Sequence, residues 1–267
     1  MQALPLRFRQ SLTSLAATLA FYSRLPVSRI IGGAVELRGF DLARDVALVP
    51  VAGVVIGLCG ALVLVLARGA GLAPSLAALA ATAALVLASG GLHEDGLADV
   101  ADGFGGGRDR QAKLAIMKDS RLGTFGALAL GLVLAARVMM LAELTARSGA
   151  QAALVLVAAA GVSRLAGLVP VILLKPARAD GLGAGLSRPA PEGLRLASAL
   201  GVVAVLLPLL AGARPGAGLA GLVLALAGAY GMTRLAARHI GGQTGDVAGA
   251  AQQLAETAFL LAFVARP

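Results

Sequence analysis

The sequence predicts an all-α fold: a polytopic membrane bundle of about seven transmembrane helices, preceded by an N-terminal helix that is interfacial or packed against the bundle. Of the 267 residues, 58% are hydrophobic and only 14% are charged, and the mean hydropathy is +0.86. A soluble domain of this length is usually far more polar. The scarcity of aromatic residues argues against a β-barrel with aromatic girdles.

Seven apolar runs approach the roughly 20 residues that a spanning helix needs. They cover about 46–67, 73–92, 124–142, 150–174, 194–212, 216–236 and 247–265. The stretch from Ser11 to Tyr22 is also apolar but shorter, so we expect it at the interface or packed against the bundle. No repeat or linker divides the chain, which predicts a single integral membrane domain over residues 1–267.

The basic residues are distributed unevenly between alternate loops. One side would receive 17 of the 23 Lys and Arg residues, and the other only four. The positive-inside rule makes the first side cytoplasmic, so we expect a multi-pass inner-membrane protein whose polar loops face the cytoplasm. The net charge of +9 then reflects topology, and no nucleic-acid partner is expected.

The longest cytoplasmic loop begins with the acidic run from His93 to Gly103. On a helix, Asp95, Asp99 and Asp102 fall at i, i+4 and i+7 and share one face. Like charges at this spacing repel each other, and carboxylate oxygens favour Mg²⁺, Mn²⁺ or Ca²⁺ over zinc. The alternative is a solvated acidic helix end that only terminates a membrane segment.

Basic residues follow this run in the same loop. Lys118 and Arg121 are candidates for binding phosphate oxygens, and Asp119 could join a metal shell or hold one of these cations. Contact with anionic lipid and topology setting are the alternative roles of the two basic residues.

A second polar segment, from His239 to Ala250, precedes the last apolar run. Asp246, Gln253 and Glu256 share a helical face there. Ionisable residues inside a span, such as Glu256 and Arg164, are functional candidates by default, although interhelical hydrogen bonds or ion pairs would also explain them.

Three blocks make the sequence resemble the adenosylcobinamide-GDP ribazoletransferases, also called cobalamin synthases. They are Phe21-Tyr22-Ser23-Arg24-Leu25-Pro26; His93-x-Asp95-Gly96-Leu97-Ala98-Asp99-x-x-Asp102-Gly103 with Ile116-Met117-Lys118-Asp119-Ser120-Arg121-x-Gly123-Thr124-Phe125-Gly126; and Gly241-Gly242-x-Thr244-Gly245-Asp246-x-x-Gly249-Ala250. The sequence departs from the family pattern at Glu94, where an apolar residue is expected; the extra acid would add a metal ligand or face solvent.

The resemblance implies an Mg²⁺-dependent transferase that joins adenosylcobinamide-GDP to α-ribazole, or to its 5′-phosphate, and releases GMP. The metal ligands would be Asp95, Asp99 and Asp102, and the catalytic residues would be His93, Lys118, Asp119 and Arg121, with His93 or Asp119 as general base. Binding of the substrates would involve Arg24, Gly241, Gly242, Thr244 and Asp246. The protein is expected to lie in the lipid bilayer. The sequence does not define the oligomeric state and is compatible with a homo-oligomer.

The sequence leaves two alternative functions to compare with this one. A lipid-synthesising CDP-alcohol phosphotransferase also uses spaced aspartates at a membrane surface, but the Ala-Arg of its motif is missing after Asp95-Gly96 and after Asp102-Gly103. A transporter could use Arg164 and Glu256 at a midplane site, but the spans carry no series of proton-relay residues.

Overall fold

The computed structural model describes residues 6–31, 38–185 and 188–265, and these residues form helices joined by short connections. The helices are α1 Leu6–Tyr22, α2 Val27–Ile31, α3 Leu42–Asp45, α4 Val49–Gly69, α5 Pro74–Ser89, α6 Leu92–Gly106, α7 Arg110–Ile116, α8 Thr124–Arg147, α9 Gly149–Ala166, α10 Val169–Leu173, α11 Leu182–Gly185, α12 Pro191–Leu206, α13 Pro215–Ile240 and α14 Gly245–Val264. Short 3-10 turns, Val46–Leu48 and Leu207–Ala211, adjoin α4 and α12. The described residues contain no strand beyond an isolated parallel bridge between Pro176 and Gln243.

Six helical segments in the described part of the chain are long and apolar enough to cross a membrane. They are Leu42–Gly69, Thr124–Arg147, Gly149–Leu173, Pro191–Ala211, Pro215–Ile240 and Gly245–Val264. A seventh span arises only if α5 and α6 count together, and these two helices are bent by 90°. The expectation of an all-α membrane bundle with about seven spans is therefore confirmed.

The N-terminal helix α1 is not one of the candidate spans. It packs against the bundle, because Ala16 and Ala17 near its middle are fully buried. At its end, Phe21 stacks on Phe40 with 4.6 Å between ring centroids. A helix before the first span was expected either at the interface or packed against the bundle, and the structure shows the packed arrangement.

Helix α9 lies at the centre of the bundle, where it contacts α4, α8, α12 and α14. Its closest neighbour is α4, and glycines make this approach possible. A Cβ added at Gly53 would lie 2.3 Å from the Ala160 carbonyl oxygen, and one at Gly57 would lie 2.8 Å from the Val157 Cα. Small residues allow such contacts between helices in lipid, where packing takes over from the hydrophobic effect.

The chain turns sharply between α5 and α6. Gly90 and Gly91 both have left-handed backbone conformations, with φ of +68° and +70°, which glycine adopts without steric penalty. Gly90 ends α5 by donating its N–H toward the carbonyls of Leu87 and Val86. The acidic run therefore starts a new helix across the end of the bundle and does not continue the second apolar run.

A buried polar network joins α6, α8 and α14. The guanidinium of Arg137, only 1% exposed, lies 3.2 Å from a carboxylate oxygen of Glu94 and 3.2 Å from one of Glu256. It also donates to the Gln253 side chain at 2.7 Å, and Gln252 donates to Glu256 at 2.6 Å. Glu94 thus neither faces solvent nor joins the acidic face of α6, as the sequence had suggested, because it is the buried counter-ion of Arg137.

Removing Glu94 leaves Arg137 with Glu256 as its remaining carboxylate partner, but it also leaves a buried Arg137 N–H without its acceptor. We therefore expect Glu94→Ala to lower the free energy of unfolding by about 1–3 kcal/mol, measured by thermal unfolding in detergent. The control is Glu143→Ala on α8, because the Glu143–Arg147 pair is partly exposed at both side chains and such pairs contribute about 0–1 kcal/mol. Equal losses in the two variants would contradict the structural role of Glu94.

Candidate active site

The acidic helix α6 crosses the N-terminal end of α14 at very short range. A Cβ added at Gly96 would lie 2.8 Å from the backbone oxygen of Asp246, and one at Gly249 would lie 3.3 Å from the Cα of His93. Both positions therefore need a small residue for the two backbones to meet. This contact joins the first and second polar segments of the sequence, which are about 150 residues apart.

The contact places acids from both helices around Asp99. The charges of Asp95, Asp246 and Asp102 all act on Asp99, and Arg178 provides an opposing positive charge. Three of these four acids come from α6 and the fourth from the first turn of α14. The acids of α6 and Asp246 therefore influence one another electrostatically, although no three described His, Cys, Asp or Glu side chains are grouped closely enough to hold a metal ion.

A cavity of about 110 Å³ opens beside these acids, between α1, α6, α9 and α14. Its polar lining consists of Tyr22, His93, Asp95, Arg164, Asp246 and Gln252. The His93 ring stacks on Tyr22 with 5.9 Å between centroids. Burial raises the pKa of the Tyr22 hydroxyl, so this group stays a neutral hydrogen-bond donor at physiological pH.

Asp102 has a position of its own, away from the cavity. Its carboxylate accepts the N–H of Gly123 and that of Gly126, each at 2.8 Å. These donors belong to the N-terminus of α8, whose N-cap residue Gly123 has no side chain to provide a cap. Asp102 therefore caps α8 through a tertiary contact, and both of its oxygens are engaged by protein.

The glycine-containing block before α14 is held by the segment that follows α10. The N–H of Gln243 donates to the Lys175 carbonyl at 2.9 Å, and the N–H of Ala177 donates to the Gln243 carbonyl at 2.8 Å. A Cβ at Gly242 would lie 2.6 Å from the Lys175 oxygen. Gly242 thus meets protein backbone, and the structure gives it no open space toward a ligand.

Two further residues of this block have structural contacts. Gly241 ends α13 with φ of +67°, a conformation that favours glycine. Thr244 is buried and caps α14, since its hydroxyl accepts the Val247 N–H at 3.2 Å and contacts Asp246 at 3.1 Å. Of the predicted substrate-binding residues in this block, only Asp246 lines the cavity.

The comparison with protein families identifies the chain. Residues 14–264 match the model of a family described as cobalamin-5-phosphate synthase. The chain belongs to this family. The resemblance found in the three sequence blocks is thereby confirmed, and the chain is related to transferase enzymes.

Curated relatives cover almost the whole chain. A protein of Azorhizobium caulinodans is 46% identical over 98% of this chain and 100% of its own length. Others from Xanthobacter autotrophicus and Mesorhizobium japonicum are 49% and 45% identical over 95% of this chain and 96% and 93% of their own lengths. All three are named adenosylcobinamide-GDP ribazoletransferase. No solved structure matches this chain.

Lys118, Asp119 and Arg121 lie outside the cavity. Asp119 and Arg121 line a separate surface hollow with Asp102 and Gly123. Arg121 donates to Asp119 at 2.5 Å and holds the pKa of that carboxyl at about 2. A carboxylate with such a low pKa is a weak base at neutral pH, and unlike His93, Asp119 does not line the cavity.

Arg178 belongs to a loop that the charge distribution predicts to be cytoplasmic and to none of the sequence blocks, yet it lies beside the acids. It contacts Asp246 at 3.4 Å and Asp180 at 3.9 Å, and its Nη1 atom is buried without a hydrogen-bond partner. Asp180 in turn pairs with Lys118 at 2.5 Å. No sequence motif includes Arg178, because its segment is distant from α14 along the chain and contacts it only in the folded structure.

Arg24 lies at the bend between α5 and α6. Its N–H donates to the Ala88 carbonyl at 2.8 Å, and its side chain covers Gly90, where an added Cβ would be 2.5 Å from the Arg24 Nε. Arg24 is exposed and is not among the residues that line the cavity. Its contacts support the turn that orients α6.

The dual engagement of Asp102 predicts an effect on stability that needs no metal. In Asp102→Asn the side chain keeps only one oxygen and turns an amide group toward a backbone donor. We expect a loss of about 1–3 kcal/mol in unfolding free energy, measured in detergent with EDTA.

The matched control is Asp99→Asn under the same conditions. This change removes one of several like charges, so stability should stay equal or rise. Equal destabilisation of the two variants would contradict the capping role of Asp102.

Proposed function

We propose that the chain joins adenosylcobinamide-GDP to α-ribazole or its 5′-phosphate and releases GMP, with Mg²⁺ bound at the junction of α6 and α14. Family membership and the names of the relatives support the reaction. The structural observation that carries the proposal is the contact of α6 with α14 at Gly96, which brings Asp95 and Asp246 to one cavity beside Arg178. Cations and phosphate groups of a large substrate suit this mixture of acids and a guanidinium.

The acidic side chains fit an Mg²⁺ ion that is bound partly by the protein and partly by water and substrate. Within the described ranges, no three His, Cys, Asp or Glu side chains are grouped closely enough to hold a metal ion by themselves. Mg²⁺ in phosphoryl-transfer sites usually binds one or two carboxylates together with waters and substrate phosphates. Asp95 and Asp99 are the ligands we propose, with Asp246 next to them, and Asp102 supports the site through its cap on α8.

The joining reaction is a substitution at phosphorus. A ribose hydroxyl of the ribazole forms a bond to the phosphorus that stays with cobinamide, while the bond from that phosphorus to the oxygen of the departing GMP breaks. In α-ribazole 5′-phosphate the 5′ oxygen of the ribose is already bound to phosphate. A different ribose hydroxyl must therefore attack the phosphorus. Bound Mg²⁺ would supply charge neutralisation for the diphosphate.

The chain's own residues would handle the proton and the remaining charge. We propose His93 as the acceptor of the hydroxyl proton, because its ring lines the cavity together with Asp95. Arg178, with a buried and unpaired Nη1, would bind phosphate oxygens. Lys118 is half-exposed and paired with Asp180, so it would reach a phosphate only after that ion pair opens.

We further propose that this site faces the cytoplasm from the inner membrane. The loops predicted to be cytoplasmic contact one another, since Arg110 donates to the carbonyls of Ile240 and Ala177, both at 2.7 Å. At the opposite end, Arg147 and Arg214 donate to the carbonyls of Val264 and Ala265. This division agrees with the positive-inside distribution.

Exposed leucines on the spans, such as Leu132 and Leu210, would contact lipid.

The direct test is to incubate membranes that contain the protein with adenosylcobinamide-GDP, α-ribazole or its 5′-phosphate, and Mg²⁺. Chromatography should show GMP and the joined corrinoid, and EDTA should abolish both. Membranes without the protein are the control. Absence of product with either ribazole form in the presence of Mg²⁺ would overturn the proposed reaction.

The metal assignment has its own test in Asp99→Asn. The variant should insert and fold normally but lose at least about a hundredfold in Mg²⁺-dependent transfer, since a carboxylate ligand becomes a neutral amide. Asp109→Asn is the control, because Asp109 caps α7 outside the cavity and should leave the rate within a few-fold. Full activity in Asp99→Asn would exclude this residue as a metal ligand.

A further inference from the structure

We infer that Arg164 and the N-terminus of α6 form a binding site for a substrate phosphate group within the cavity. The inference deepens the proposed function and rests on it for the identity of the substrate. It assigns a role to a residue that lies in the middle of the bundle and belongs to none of the sequence blocks that carry the family resemblance.

Arg164 is a buried cation that no nearby carboxylate neutralises. It is 4% exposed, and its Nη1 donates to the Ala160 carbonyl of its own helix at 2.9 Å. Its Nε is buried without a hydrogen-bond partner. Among the described residues, both glutamates of the buried network have their ion pairs with Arg137, and no acid lies within 4.0 Å of Arg164.

Burying the Arg164 guanidinium without a direct carboxylate partner costs free energy. A buried guanidinium needs hydrogen bonds as well as opposite charge, and Glu256 and Glu94 act on Arg164 only from longer range. The side chain lines the cavity. An anionic group that enters the cavity would supply the missing acceptors.

The first turn of α6 borders the same cavity. Its N-cap residue is Gly91, which offers no side-chain cap, and the space where a Gly91 Cβ would stand is empty to 4 Å. Leu92 and His93 from the first turn line the cavity. First-turn N–H groups and the helix dipole favour anions, phosphate in particular.

The size and charge of the cavity limit which ligands can bind in it. About 110 Å³ is small beside the roughly 300–1,000 Å³ of pockets that enclose whole organic ligands, so the cavity suits one phosphate group of a larger molecule. Asp95 and Asp246 line it as well and would repel a free anion. A phosphate that shares a divalent cation with these acids meets both conditions.

Two substrate phosphates have this chemistry: the diphosphate of the corrinoid substrate and the 5′-phosphate of phosphorylated ribazole. Binding of inorganic phosphate to the purified full-length protein tests the site without either substrate. We expect phosphate with Mg²⁺ to raise the thermal unfolding temperature of the wild type, and Arg164→Gln to weaken phosphate affinity about tenfold to a hundredfold. Arg195→Gln, an exposed site on α12, is the control and should bind as the wild type does.

A second variant covers the case in which Arg164→Gln does not fold. Ala248→Leu fills part of the cavity and keeps the buried charge, so it should lose phosphate binding while the protein stays folded. Wild-type phosphate affinity in folded Arg164→Gln, in folded Ala248→Leu, or absence of phosphate binding to the wild type with and without Mg²⁺, would overturn the inference.

Transfer kinetics then distinguish the two sources of phosphate. If the site holds the corrinoid diphosphate, Arg164→Gln should lower kcat/KM about tenfold or more with both α-ribazole and its 5′-phosphate. If it holds the ribazole 5′-phosphate, the loss should appear only with the phosphorylated form. Unchanged kinetics with both would overturn a role in substrate binding, whereas an inactive wild type would contradict the proposed reaction and leave the phosphate-binding result standing.

Discussion

The close approach of α6 to α14 is the constraint on which the site depends. Because Gly96 meets the backbone of Asp246 and Gly249 meets that of His93, the acids of two distant sequence blocks come to one place. The bend at Gly90 and Gly91 allows this contact, since it turns α6 across the end of the bundle. Larger residues at either contact would separate the helices and with them the carboxylates.

Charge in the middle of the bundle is arranged around this contact. Glu94 of α6 pairs with Arg137 from α8, which also reaches Glu256 and Gln253 of α14. The Arg137 guanidinium therefore links α6, α8 and α14. Both glutamates are paired with Arg137, and Arg164 keeps a buried Nε donor without a partner beside the cavity.

Much of this could be predicted from the sequence. Hydropathy identified the spans, because the period and length of apolar runs are local properties, and the aspartate spacing predicted the acidic face of α6. The bend did not follow, since an apolar run through residues 73–92 looks the same whether the chain continues or turns at two glycines. Spacing also could not reveal that Asp102 caps a helix whose donors begin at Gly123, or that Arg178 contacts Asp246, because these contacts exist only in the folded chain.

The arginines at the far end of the bundle give α14 a second attachment. Arg147 and Arg214 hold the carbonyls at its C-terminal end, while Asp246 stands in its first turn. A rigid helix of 20 residues is about 30 Å long, so a tilt about its middle moves both ends in opposite directions. The two arginines thus hold the C-terminal end of the helix whose first turn carries Asp246, so a substitution that shifts this end of α14 would also shift Asp246 relative to the acids of α6.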